Sequence, residues 1–167
     1  MKILFDFDEK KCSACGACAV ACMDQNDVDV QGGQRPYRRV FQCESRGTFL
    51  SVSLACLHCP EAPCAAVCPL GCLWRDPETG LVRYDSTDCV GCHACSAECP
   101  YDAISFRPAA DGSARERMEK CHGCLARIRA GLQPACVRAC PAGALSWRWA
   151  EDGEISRLEA LYKRWHG

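Results

Sequence analysis

The sequence is short of several things a folded chain of its size normally relies on. Only 5 Phe, 4 Tyr and 4 Trp are spread over 167 residues. That is too few large side chains for an ordinary core, which implies that something other than side chains fills the interior. No apolar run approaches the roughly 18 residues a membrane helix requires, so no direct membrane span is expected. An excess of one charge is missing too. The 20 Lys and Arg against 21 Asp and Glu leave a net charge of −1, and no clustered basic surface marks a nucleic-acid partner. The opening MKILFDFDEKK puts Asp6, Asp8 and Glu9 where a secretory apolar region would lie, and no twin-arginine pair opens the chain. The expected location is therefore the cytoplasm. Nucleophile-elbow and phosphate-loop motifs are absent as well, so no catalytic residue is expected.

What the sequence has instead is cysteine, 18 of them. Such density marks disulfide scaffolds in small secreted domains, but the missing export signal argues for reduced thiols. Sixteen of the cysteines fall into four groups with one grammar. Group one is Cys12, Cys15, Cys18 and Cys22. Group two, CLHCPEAPCAAVCP, holds Cys56, Cys59, Cys64 and Cys68. Group three, CVGCHACSAECP, holds Cys89, Cys92, Cys95 and Cys99. Group four, CHGCLARIRAGLQPACVRACP, holds Cys121, Cys124, Cys136 and Cys140. Each group opens C-x2-C and closes C-x3-C, and the last three groups end in Cys-Pro, so the pattern is an internal repeat.

The run C-x2-C-x2-C-x3-C-P is the bacterial ferredoxin signature for a 4Fe–4S cluster. Two-residue gaps let a tight loop wrap three thiolates around three irons of one cube. Gly16, Gly91 and Gly123 fit that loop, because a residue without Cβ lets backbone N–H groups approach sulfur. The three-residue gap starts a helical turn that carries the fourth thiol away to a different cluster. Zinc normally takes two C-x-x-C pairs separated by a spacer, which the third cysteine of groups one and three does not match.

These groups, together with WRDPETGLVRYD and KCHGCLARIRAGLQPACVRACPAGAL, make residues 2 to about 148 resemble the four-cluster iron–sulfur subunit of the molybdopterin oxidoreductase (dimethyl sulfoxide reductase) family. The resemblance implies four 4Fe–4S clusters with shared ligand groups. Cys12, Cys15, Cys18 and Cys140 would hold one cube, and Cys22, Cys121, Cys124 and Cys136 the second. Cys56, Cys59, Cys64 and Cys99 would hold the third, and Cys68, Cys89, Cys92 and Cys95 the fourth. Some relatives carry Trp at the position of Cys92 and a 3Fe–4S centre there; the Cys here implies a full cube. The implied function is electron relay between a molybdenum or tungsten pterin catalytic subunit and a second redox partner or quinone pool. A membrane anchor subunit or another electron carrier would be the further partner. Relatives exported already folded on a partner's twin-arginine signal make export the alternative location. A free-standing polyferredoxin shuttle and an accessory iron–sulfur protein of a hydrogenase or formate dehydrogenase remain as alternative functions.

The expected fold is α+β, two interleaved bacterial two-cluster ferredoxin-like modules with β-hairpin insertions and a C-terminal helix. Module A takes residues 1–33 plus 107–150, module B residues 34–106, and a helical tail residues 151–167. KILFDFD reads as a strand with Ile3, Phe5 and Phe7 on one face. Residues 36–54 read as a hairpin turning near Arg46 and Gly47, and CLWRDPETGLVRYD as a second with its turn at Asp-Pro-Glu-Thr-Gly. Residues 103–106 and 144–147 read as short strands, RPAADGSARERMEK as a polar loop, and CLARIRAG as a helix ending at Gly131. The tail places Ile155, Leu158, Leu161, Tyr162 and Trp165 on one helical face, either docking on a catalytic subunit or packing on the chain's own body. Cys43 and Cys72 stand outside the groups as small fillers or spare thiols. His58, His93 and His122 sit in the cysteine loops as polar tuning groups or exposed residues, with His166 in the tail. Lys120, Arg127 and Arg138 flank group four, either as cations that raise a cluster's potential or as solvated surface charges.

Overall fold

The computed structural model describes residues 1–45, 47–109, 112–151 and 153–166. Regular structure comes in small pieces. Strand β1 (Lys2–Phe7) pairs antiparallel with β8 (Leu145–Ala150), from Lys2 opposite Ala150 to Phe7 opposite Leu145. The strand before group one is thus zipped to the strand after group four. Ile3 and Phe7 are buried and Phe5 is half-buried, but Lys2 and Leu4 are buried too, so β1 is covered on both faces.

Hairpin β2 (Arg39–Ser45) and β3 (Thr48–Leu54) closes at Gly47; Arg46 lies outside the described residues. Hairpin β4 (Leu73–Arg75) and β5 (Val82–Tyr84) turns where expected. Its turn is held by Asp76 Oδ1, which accepts the N–H groups of Glu78 at 2.9 Å and Thr79 at 3.3 Å.

One expectation is corrected here. The second half of RPAADGSARERMEK is not loop. Residues Glu116–Lys120 form strand β7, paired with β6 (Ile104–Pro108). The charged residues disguised it: Glu119 and Lys120 are buried beside Met118, so charge here does not report exposure. Strands β6 and β8 also run two to three residues beyond the expected ends.

The helices are mostly single turns placed by the cysteine groups: α1 (Ala17–Gln25), α2 (Pro63–Ala66), α3 (Ala94–Ala97), α4 (Leu125–Arg129) and α5 (Ala135–Arg138). Helix α4 stops before Gly131, whose φ is +73°. A two-stranded ribbon or one-turn helix is marginal by itself, so the space between these pieces must contribute the stability. That space is walled by cysteine. One apolar cluster joins Phe7, Cys18, Val52, Cys136, Leu145 and Leu158. A second joins Cys64, Leu73, Val82, Cys95, Ile104 and Met118.

Helix α6 (Arg157–His166) lies on the chain's own body. Leu158 enters the first apolar cluster. Tyr162 donates its hydroxyl to Pro100 O at 2.7 Å and meets Tyr101 edge-on at 4.4 Å. The helix begins after Ile155, which is exposed rather than part of the stripe; the side chains of Leu161, Trp165 and His166 lie outside the described residues. No helix among the described residues is long and apolar enough to cross a membrane.

Candidate metal centres

Each cysteine group starts a loop with left-handed backbone and then enters a helical turn. Gly16, Ala62, His93 and Cys124 sit at the helix N-termini with φ of +78°, +41°, +61° and +48°. The left-handed residue turns the chain so that successive thiols point inward. Cys18 and Cys22 then follow one turn apart on α1, a rise of about 6 Å, and α5 with Cys136 packs against α1.

Three of the four expected sets meet around a cavity. Cys12, Cys15, Cys18 and Cys140 line an empty volume of about 320 Å³ walled by Phe7, Val40 and Leu145. Cys22, Cys121, Cys124 and Cys136 line a second of about 390 Å³ together with Arg38 and Phe5, and Cys56 reaches it too. Cys68, Cys89, Cys92 and Cys95 line a third of about 330 Å³, with Cys72 as a fifth thiol. Cys56, Cys59, Cys64 and Cys99 are not described around one cavity, but they act on one another. Burial pushes the Cys59 thiol up to about 12, with Cys56 and Cys99 adding to it, and burial with Cys56 and Cys99 also raises Cys64.

All eighteen cysteines are free thiols. Among the described residues, no three His, Cys, Asp or Glu side chains converge on a point as a single-ion site demands. The thiols ring a space instead, which suits a multi-atom inorganic core.

Four of the buried thiols hold their protons more tightly than a free thiol does. Burial pushes Cys124 and Cys95 up to about 11 each and raises Cys22 and Cys136. Metal must therefore displace protons to bind there. Three cysteines go the other way, each against burial: His58 and Lys120 lower Cys56 to about 5, His58 lowers Cys121, and backbone N–H groups of Leu70 and Cys72 lower Cys68. His58 is buried, and its Nδ1 accepts the Val82 N–H at 3.0 Å. Burial would lower the ring's pKa, but Cys56 and Cys121 outweigh that and raise it to about 9, and its Nε2 has no partner of hydrogen-bond geometry. Lys120 is fully buried, donates to Val82 O and Cys121 O, and lies 5.8 Å over the Tyr84 ring.

Backbone amides supply the rest of the shell. Cys12 Sγ receives the Ala14 N–H at 3.4 Å and Cys121 Sγ the Gly123 N–H at 3.4 Å. The residue four beyond each Cys-Pro cysteine repeats one contact: Cys72 to Cys68 at 3.3 Å, Ala103 to Cys99 at 3.4 Å, Ala144 to Cys140 at 3.2 Å. Met118 N–H reaches Cys89 Sγ at 3.4 Å. N–H donors to thiolate sulfur stabilise its negative charge and raise a cluster's potential.

The glycine loops announced one of these amides, that of Gly123; sequence reasoning missed the ones four residues past the last cysteine of a group, although the regular offset was there to be noticed. It also missed Arg38 and Ser53. Of the flanking cations, Arg127 is taken by Gln133 O and Gln25 Oε1 at 2.8 Å each, and Arg138 is exposed. His93 stacks on Phe106 at 3.8 Å and meets Glu116 at 3.1 Å, and His122 meets Asn26 at 2.6 Å. Cys72 is buried as a filler would be, whereas Cys43 is exposed on β2 near Leu50 O, which departs from the filler alternative at that position. Residues 41–44 of β2 are all exposed, so both faces of the strand are open there.

Cysteine loops of ferredoxin spacing, gathered around cavities and supplied with N–H donors, define a ferredoxin-like iron–sulfur protein. The chain belongs to the 4Fe-4S dicluster domain family, whose description matches residues 47–149. It is 39% identical over 155 residues to a thiosulfate reductase electron transfer subunit of Salmonella typhi, covering 90% of this chain and 77% of that protein. It is 33% identical over 148 residues to the B component of the anaerobic dimethyl sulfoxide reductase of Haemophilus influenzae, covering 81% and 68%. Protein NrfC of Escherichia coli is 37% identical over 159 residues, covering 90% and 68%. The resemblance read from the cysteine groups is thus borne out.

Proposed function

We propose that this chain is the electron-transfer subunit of a molybdopterin reductase complex and carries four 4Fe–4S clusters. It relays electrons between a molybdenum- or tungsten-containing catalytic subunit and a second redox partner or quinone pool. Its similarity to the thiosulfate reductase electron transfer subunit and to the B component of dimethyl sulfoxide reductase supports this. So does the gathering of Cys12, Cys15 and Cys18 with Cys140 around one cavity, which carries the reading. That meeting of remote segments is what the family resemblance implies. The ligands are the sixteen cysteines in the sets named above.

When bound, each cluster supplies a one-electron centre. The chain's own work is to hold, tune and exclude water. Cysteine thiolates fill every ligand position of a set, leaving no vacancy for substrate, as metal-assisted hydrolysis would need. Phe7, Val40 and Leu145 wall the Cys12 cavity with apolar surface, and Phe106 and Met118 do so at the Cys68 cavity. These walls keep solvent from one side of each centre, while Cys15 and Cys92 stay exposed on the other.

The two modules interleave, with residues 1–33 and 107–150 enclosing residues 34–106 and a tail from 151 onward. The β1–β8 pairing supports that reading. A membrane anchor subunit or another carrier completes the complex, which works in the cytoplasm or is exported folded on a partner's signal. Leu70 and Val90, 51% and 50% exposed beside the Cys68 cavity, favour a subunit with a covered rim over a free shuttle. Iron and acid-labile sulfide per chain, with EPR of the anaerobically reduced protein, test the proposal. Four cubes are expected; zinc or cystine bridges in oxygen-free material would overturn it.

A further inference from the structure

Arg38 has no carboxylate. It is 5% exposed, and among the described residues no Asp or Glu lies within ion-pair distance of it. Its neighbours in sequence behave otherwise: Arg35 and Arg39 both pair with Asp102, at 2.6 and 3.0 Å. Arg38 Nη1 donates to Ser53 O at 3.1 Å and to Ser53 Oγ at 3.0 Å, while its Nε is buried without a partner. A guanidinium removed from water without an anion is unfavourable by a wide margin. Something negative must therefore stand beside it in the working protein.

The surroundings say what. Arg38 lines the Cys22 cavity. A guanidinium keeps its charge at any working pH, and the groups that act on it are Cys136, Cys121, Cys18 and Cys22. Three of these cysteines belong to the Cys22 set and one, Cys18, to the Cys12 set. The link to Cys18 is also direct. Ser53, 1% exposed, lines the Cys12 cavity and stands 3.2 Å from Cys18 Sγ. Because Ser53 Oγ accepts from Arg38, its own hydrogen is free to donate to that sulfur. A chain of donors thus runs from Arg38 through Ser53 to Cys18.

We propose that Arg38 is a buried counter-cation shared by two iron–sulfur centres, acting directly at the Cys22 cavity and through Ser53 at the Cys12 cavity. This rests on the iron–sulfur reading above. A cube held by four thiolates is anionic and gains a further negative charge on reduction. A fixed cation in a low-dielectric interior favours the reduced state at both sites. Arg38 is a positioning and tuning residue: it sets two neighbouring potentials together, which keeps the step between them level while raising both.

Anaerobic EPR-monitored redox titration of the full iron-loaded chain tests this, on the natural protein, Arg38→Gln, Arg38→Lys and Ser53→Ala. Arg38→Gln lowers the reduction equilibrium of two centres at least tenfold, about 59 mV for one electron, and leaves the others unmoved. Arg38→Lys keeps both potentials within that margin. Ser53→Ala lowers one centre only, by less. Unmoved potentials in an Arg38→Gln protein with full iron overturn the inference, as does a Lys variant that behaves like the Gln variant. Should Arg38→Gln not assemble, Ser53→Ala decides, since an unmoved potential there breaks the link to Cys18. Iron missing from the natural protein would sink the iron–sulfur reading itself, which is a different result.

Discussion

The Cys22 cavity and the Cys68 cavity each gather three cysteines of one group and the last cysteine of another, and they differ in what surrounds those thiols. At the first, Cys22, Cys124 and Cys136 are buried, and a guanidinium without a carboxylate closes one wall. At the second, Cys92 is exposed, His93 and Glu116 pair near the rim, and Leu70 and Val90 face solvent. Identical ligands in unlike surroundings give unlike centres, because burial, charge and hydrogen bonds to sulfur set the potential. The repeat supplies the ligands, and the hairpins and loops between the groups supply the differences.

The bluntest way to break the comparison is to remove both centres. Anaerobic chelation of iron should abolish most of the far-ultraviolet circular dichroism, since ribbons and one-turn helices then surround empty space. A native-like spectrum without iron would falsify the idea that the clusters hold the fold. Next come single ligands, one from each cavity. Cys136→Ala should cost an entire centre and destabilise the chain by about 3 kcal/mol or more. Cys92→Ala, at an exposed ligand, should cost one iron and leave the fold intact. EPR of the oxidised protein separates them, because a 3Fe–4S remnant is visible there and an intact oxidised cube is silent.

Two glycines probe the loops. Gly91 has φ +69°, and an added Cβ would lie 2.6 Å from the Glu116 carbonyl oxygen, a backbone atom of β7. Gly16 has φ +78° with nothing within 4 Å. Gly91→Ala should therefore cost about 3 kcal/mol and Gly16→Ala about 1 kcal/mol, read from anaerobic denaturation midpoints. Equal effects would mean that backbone conformation alone, and not the approach of β7, limits the Cys68 side.

The smallest expected effect concerns the β4–β5 hairpin, whose Leu73 and Val82 pack with Cys64 and Cys95. Burial would raise the Asp76 carboxyl, but the N–H groups of Glu78 and Thr79, with Arg83, hold it below its ordinary value. Its contribution is thus fully present above the ordinary carboxylate range and lost as pH falls through the lowered folded value. Asp76→Asn should cost about 1 kcal/mol near neutral pH, with the gap to the natural protein closing below about pH 4. A gap that persists in acid would show that the charge is not what holds the turn.

Much of the site was legible because thiol spacing is covalent arithmetic. The gaps of two and three residues marked which cysteines share a loop and which one leaves it, and the cavities gather them accordingly at three places. The strands flanking the groups were legible from alternation. Strand β7 was not, because Glu119 and Lys120 are buried in a place where sequence rules put solvent. The roles of Arg38, Ser53 and the amides four residues past each Cys-Pro were hidden for another reason. They depend on which remote segments meet, and hydrophobic pattern does not encode a sulfur waiting for a donor.

The closure of β1 on β8 bears on how the protein is made. Cys12, Cys15 and Cys18 emerge from the ribosome with their fourth companion, Cys140, still untranslated. At about 5–20 residues per second, they wait for seconds as bare thiols open to oxidants and stray metal. On the proposed ligand set, iron can fill that cavity only after translation of group four, and a polypeptide truncated before Cys140 would leave the factory unable to complete that centre.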